Sequence, residues 1–344
     1  MEHRIIIPKN KTVILSTAGV AGHEEGAGPL GGSFDITDND EDRFGQETWE
    51  KSESEMQRLA LSAALSKASL CENELSVMLA GDLLNQCVGS NYGLSGFRIP
   101  YLGLYGACST SAEGILLGTL LCSSGLRRCA AVTSSHYCSA ERQFRFPLEY
   151  GGQRPPTAQW TVTASGAFII SSDEGDIENA KETVLPTVTG VLPGYIIDKG
   201  ISDVNNMGAA MAPAAADTIL RYFKLSGDAP CDFDMIVTGD LGREGSGILV
   251  DLLYSEGLDI SKQHVDCGCM IYNADEADKH AGGSGCGCSA VVMASHILPN
   301  ITYGKLKNVL FIGTGALMSP LVLNQGGTIP GVGHLIRFRG DGGM

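Results

Sequence analysis

Cys108 is the residue of this chain best placed to do chemistry. It stands in Gly106-Ala-Cys-Ser-Thr110, after Phe97-Arg-Ile-Pro-Tyr-Leu-Gly-Leu-Tyr105 and before Ser111-Ala-Glu-Gly-Ile-Leu-Leu-Gly-Thr-Leu-Leu121. That order reads as a strand giving way to a helix at the cysteine. A thiol at a helix N-terminus feels unpaired backbone N–H groups, which favours the thiolate. The small neighbours Gly106, Ala107 and Ser109 leave room for a substrate. The cysteine is therefore either a nucleophile or one wall of a pocket that receives an anion.

The composition bounds the scaffold around it. Of 344 residues, 43% are hydrophobic and 18% charged, enough to build one or two packed domains. Forty-five glycines and few aromatics fit α/β layers with tight turns. A formal charge of −15 argues against nucleic acid and against anionic membrane surfaces. The 11 cysteines show no small-domain disulfide spacing. No signal peptide and no apolar run of roughly 20 residues is visible. The expectation is a soluble, cytoplasmic composition with free thiols.

An internal repeat organises the chain. Glu74-Leu-Ser-Val-Met-Leu-Ala-Gly-Asp82-Leu recurs as Asp232-Phe-Asp-Met-Ile-Val-Thr-Gly-Asp240-Leu. Each follows a helix-like segment, Glu55 to Leu65 in one case and Ala214 to Phe223 in the other. Cys108 with its helix and the strand Arg128 to Thr133 then match Gly285 to Met293 and Lys307 to Gly315. Alternating helices and strands imply sheets covered by helices. Arg142 to Pro156 reads as an aperiodic excursion, Thr161 to Ile170 as a strand, and Gly19 to Glu50 as a long ordered loop.

A duplicated βαβαβαββ unit with a cysteine opening the first buried helix resembles the thiolase-like superfamily. Lys279-His280-Ala-Gly-Gly-Ser-Gly is similar to the segment that supplies a catalytic histidine in ketoacyl synthases, and Gly313-Thr-Gly315-Ala-Leu-Met-Ser-Pro to the glycine-rich loop beside the cysteine. The resemblance implies a five-layered αβαβα fold of two duplicated halves with mixed sheets, residues 1–180 and 181–344. The opening helices would pack in the middle, and a homodimer would form through the first half.

Within the superfamily the chain resembles the stage V sporulation protein AD family of spore-forming bacteria. Arg142-Gln-Phe-Arg-Phe-Pro-Leu-Glu-Tyr-Gly151, Gly282-Gly-Ser-Gly-Cys-Gly-Cys-Ser-Ala290 and Gln325-Gly-Gly-Thr-Ile-Pro-Gly-Val-Gly-His334 carry the likeness. It implies binding of dipicolinic acid (pyridine-2,6-dicarboxylate) for uptake of calcium dipicolinate into the developing spore. The chain would be peripheral to the forespore or spore inner membrane, held by other sporulation membrane-complex subunits. No cofactor is implied beyond calcium accompanying the ligand.

Two roles for the pocket remain open. If Cys108 and His280 are catalytic, the site is that of an acyltransferase. A condensing enzyme also needs a second histidine, however, and where it would fall this chain has Asp240. An ionised aspartate there would repel a developing oxyanion. If the site binds an aromatic dianion, N–H groups at Cys108, Gly313 and Gly315 and the guanidinium of Arg142, Arg145 or Arg154 are its partners. His136 and His280 would then face the same cavity, and Asp240 would help to neutralise any calcium. A third role is purely structural. The Cys267-Gly-Cys269 and Cys286-Gly-Cys288 pairs are too tightly spaced for a usual zinc site, and the second pair reads as the start of a buried helix.

Overall fold

A computed structural model describes residues 4–144, 154–276 and 278–340. The first half runs β1 (Thr12–Ala21), α1 (Trp49–Ala68), β2 (Val77–Gly81), β3 (Tyr101–Leu104), α2 (Thr110–Ser123), β4 (Arg128–Ser135), α3 (Tyr137–Phe144) and β5 (Ala164–Ser171). The second half runs β6 (Thr187–Leu192), α4 (Met207–Ser226), β7 (Met235–Thr238), α5 (Gly242–Ser255), β8 (His264–Asp266), α6 (Cys286–Val292), β9 (Asn308–Ala316) and β10 (Gly331–Arg339).

The strands lie in the order β1-β5-β4-β2-β3 in one half and β6-β10-β9-β7-β8 in the other. The two orders are the same, so the internal repeat is a structural duplication. In each half the outer three strands are parallel and the inner pairings antiparallel. β1 meets β6 through Thr12–Val188 and Val13–Thr187, which makes the two sheets continuous.

Side-chain alternation along the strands sorts the core into layers. Phe168 and Ile170 of β5 face the middle, together with Phe311 of β9 and Ile336 of β10. Their neighbours Ala167 and Ile169 face outward onto Met56, Ala60 and Leu61 of α1. Ile312 and Leu335 face outward onto Met211, Ala215 and Ile219 of α4. The middle layer holds α2 and α6, and both are buried along most of their length. A helix that is apolar on every side has no solvent face to present, so it belongs inside. The two helices meet where Ser111 Oγ and Ser289 Oγ are 2.7 Å apart, each serine three residues after its cysteine, Cys108 or Cys286. The Cys286–Cys288 pair therefore opens a buried helix, as the repeat implied.

The long loop begins later than the sequence implied. Gly19 and Val20 belong to β1, which continues to Ala21 because β5 pairs with it as far as Ala164. α1 begins at Trp49, capped by the Thr48 side chain, which accepts from the Lys51 N–H. Part of the excursion expected after Arg142 is also regular, since Arg142 to Phe144 complete α3.

The middle layer leaves no spare volume between β5 and α6. A Cβ on Gly166 would sit 2.5 Å from the backbone of Ala290. Gly166→Ala should therefore destabilise the protein by about 1–3 kcal/mol. Chemical denaturation would show this as a lower midpoint with an unchanged slope, and an unchanged midpoint would mean that the layers can separate freely.

Candidate functional site

Cys108 sits in a tight turn between β3 and α2. Ala107 is held in the left-handed region at φ 51°, a conformation costing a non-glycine residue about 1–2 kcal/mol. Side chains tie the turn down. Thr110 Oγ1 accepts from the Gly106 N–H (3.1 Å) and donates to the Ala107 carbonyl (2.7 Å), and Ser109 Oγ donates to the Gly106 carbonyl (2.7 Å).

Asp240 follows β7, on a loop that Asp266 staples from below. The Asp266 carboxyl accepts from Thr238 Oγ1, from the N–H groups of Leu241 and Gly242, and from Cys269 N, at 2.6 to 3.2 Å. Burial still raises Asp266 to about 6. Asp240 itself is buried and accepts from Thr314 Oγ1 and the Gly285 N–H, both at 2.9 Å. Gln159 Nε2 donates to its carbonyl at 2.8 Å.

The Asp240 carboxyl is hydrogen-bonded to the Cys108 thiol, and burial pushes it up to about 8. Cys108 is raised well above the ordinary thiol range, first by burial and then by Asp240, against N–H groups of Gly285 and Ala316 that pull it down. At neutral pH both groups keep their protons. This corrects two expectations. The helix N-terminus does not produce a thiolate, because desolvation outweighs it. Nor does Asp240 act as a fixed anion, because its carboxyl is neutral.

Cys108 opens onto a cavity of about 240 Å³. Leu83, Tyr105, Ala140 and Phe144 line it from the first half, and Met207, Ala316, Leu317 and Met318 from the second. Among the described residues its polar lining includes Glu141, Thr161 and Ser284, which the sequence pattern does not single out. Thr161 and Ser284 arrive together because two short strands, Trp160–Thr161 and Gly283–Ser284, pair in parallel. No local pattern in the sequence signals that pairing. Glu141 sits on α3, one residue before the stretch read as aperiodic.

The other expected residues divide. Gly313 and Gly315 lie in strand β9, paired to β10, rather than in a loop offering N–H groups. Their part is spatial. A Cβ on Gly313 would fall 2.3 Å from Ala112 Cβ, and one on Gly315 would fall 2.8 Å from the Gly106 carbonyl. The N–H groups near the sulfur come from Gly285 and Ala316 instead.

His136 faces elsewhere. Its Nδ1 accepts from Cys138 N (3.2 Å), so Nε2 carries the proton and donates to the Asp42 carbonyl (3.0 Å). Its ring lies 5.3 Å from that of Trp49, and burial lowers it to about 4. It pins the acidic loop to α1. His280 is half-buried and does not line the cavity; Arg243 donates to its carbonyl. Arg142 is exposed and paired with Glu50 of α1. Arg145 lies outside the described residues. Arg154 stands one layer behind the cavity wall, against Glu141.

The paired β1-β5-β4-β2-β3 sheets around two buried helices, with a cysteine opening the first, define a thiolase-like protein. Solved structures of Xanthomonas campestris OleA share the fold. A cerulenin-bound form has a TM-score of 0.63 at 11% identity, with 97% of this chain and all of that one covered. An acetamide-bound form scores 0.61 at 12%, with the same coverage. A family model of stage V sporulation protein AD matches residues 2–339. The curated stage V sporulation protein AD of Bacillus subtilis (strain 168) is 45% identical over 333 residues, 96% of this chain and 95% of that protein. The chain belongs to the stage V sporulation protein AD family.

The protonated Asp240 has a measurable consequence. Unfolded, it ionises near 3.8; folded, it holds its proton up to about 8. Between these values the native state binds a proton that the unfolded state has released. The stability Asp240 confers is therefore complete below 3.8 and is lost as pH rises towards 8. Asp240→Asn should flatten this part of the pH–stability curve, removing a slope of at most about 1.4 kcal/mol per pH unit. Parallel curves for wild type and variant would mean that Asp240 is ionised in the native protein.

Proposed function

We propose that this protein binds dipicolinic acid in the cavity beside Cys108 and serves uptake of calcium dipicolinate into the developing spore. The observation that carries the reading is a cavity kept open beside a buried thiol. The thiol is protonated and hydrogen-bonded to Asp240, and His280 does not line the cavity. Membership of a sporulation family supplies the setting. The lining suits a planar aromatic acid, with apolar walls at Leu83, Phe144, Met207 and Met318 and hydroxyls at Thr161 and Ser284. Calcium would enter as the ligand's own counter-ion, not as a resident metal.

Among the described residues no helix is long and apolar enough to cross a membrane. We assign attachment at the forespore or spore inner membrane to the other subunits of the complex. Calorimetry with dipicolinate, with and without calcium, should detect binding at or below millimolar ligand, and no binding in either titration would sink this function. The competing acyltransferase reading draws on the N–H groups of Gly285 and Ala316 that approach the Cys108 sulfur. It requires an acyl adduct on Cys108 after incubation with acyl-coenzyme A, whereas intact mass should show none.

We also propose a homodimer through the first half. β3 is an outer edge of the sheet, and Leu102, Tyr105 and nearby Tyr92 are exposed. An apolar strand edge is a template for a second strand, and a second copy of the chain supplies one. Light scattering should give twice the 36.1 kDa chain mass, and Leu102→Asp should shift it to monomer. A monomeric wild type would overturn the dimer.

A further inference from the structure

Glu141 is a carboxylate built into the wall of the cavity. It is almost fully buried, and its Oε1 accepts from Thr161 Oγ1 at 3.0 Å. Its Oε2 lies 3.6 Å from Nη1 of Arg154, a loose ion pair. Burying a carboxylate beside a ligand cavity is costly unless a cation answers it, and Arg154 answers this one.

Arg154 is itself held for a task larger than that pair. Its guanidinium lies over the rings of Tyr137 and Trp160, at 5.8 and 5.3 Å, and those rings stack on each other at 4.1 Å. One terminal nitrogen, Nη2, donates to the Gln159 carbonyl, fixing the plane. The Nε–H is buried and has no hydrogen-bond partner among the described residues. A guanidinium can grip a carboxylate with two parallel N–H bonds. Here Nη1 is held by a long bond to Tyr137 Oη (3.4 Å) and by the loose Glu141 contact, and on the other edge the Nε–H beside Nη2 is idle, directly behind a residue that lines the cavity.

We propose that Glu141 stands in for a ligand carboxylate on Arg154, and that an incoming carboxylate takes the guanidinium from it. Glu141 is then the residue that sets ligand affinity, by competition from inside the pocket, and Arg154 is the cation that receives the acid. This rests on the dipicolinate reading above and names the group that reads one of its carboxylates. Competition keeps the buried guanidinium neutralised when the cavity is empty. It also weakens binding of any acid too poor to displace Glu141.

The test is a calorimetric titration of dipicolinate into full-length wild type, Glu141→Gln and Arg154→Lys, with thermal unfolding to confirm that each variant folds. Glutamine keeps the acceptor for Thr161 but removes the charge, so Glu141→Gln should bind roughly tenfold tighter, the scale of one charge-assisted hydrogen bond. Arg154→Lys keeps the charge but loses the fork, and should bind roughly tenfold more weakly. If wild type binds and Glu141→Gln binds equally well or less well, the competition is refuted while the ligand assignment stands. If neither wild type nor Glu141→Gln binds, both fail.

Discussion

The site depends on how closely β9 lies against the turn that carries Cys108. No side chain fits at Gly313 or Gly315, because Ala112 of α2 and the Gly106 carbonyl already occupy that space. Strand alternation sends Thr314, between them, to the other face, where its hydroxyl bonds the Asp240 carboxyl. One strand of the second half thus fixes the cysteine turn of the first half and the aspartate that faces it. The cavity then opens where the two halves meet, lined from both.

The polar chemistry of this interior runs on protons more than on ion pairs. Asp240 and Glu53 are both raised to about 8 by burial. Glu53 is held by the hydroxyls of Ser134 and Ser139, and its neighbour Asp82 by Ser90 and the Leu84 N–H. Hydroxyl and backbone donors stabilise a buried carboxyl without the desolvation of a second charge. The formal charge of −15 therefore overstates the charge of the folded protein at neutral pH, since some of its acids keep their protons. The same physics raises the Cys108 thiol, against the thiolate that the cysteine's position promised. A helix terminus stabilises a thiolate by a kilocalorie or so, and full burial beside a neutral carboxyl costs more.

Much of the architecture could be read in advance. The repeated Gly-Asp-Leu strand ends, the two helix-like segments before them and the small-residue helix after Cys108 are local patterns, and each became the element its pattern implied. The errors came where local pattern and spatial direction part company. His136 follows a buried strand, as expected, yet its ring turns to Asp42 and Trp49 because loop and helix close over that side. Gly313 and Gly315 stand out in the sequence for a turn-like pattern, but in the structure they permit close packing within a paired strand and do not form a loop offering N–H groups to the cavity. Glu141, Thr161 and Ser284 gave no signal, because a single acid on a two-turn helix and a two-residue strand pairing carry no periodicity to detect.

What the sequence determined by itself was the duplication, the place of Cys108 at the mouth of a buried helix, and Asp240 in the Gly-Asp-Leu that ends the second half's repeated strand. These are matters of residue type and order along the chain. The tertiary structure decided the protonation of that aspartate and of the thiol, and the company each candidate residue keeps. Those properties depend on desolvation and on donors that lie far away in sequence, such as Gly285 and Thr314 against Asp240. A pKa is set by what surrounds a group in three dimensions, and only folding brings those surroundings together.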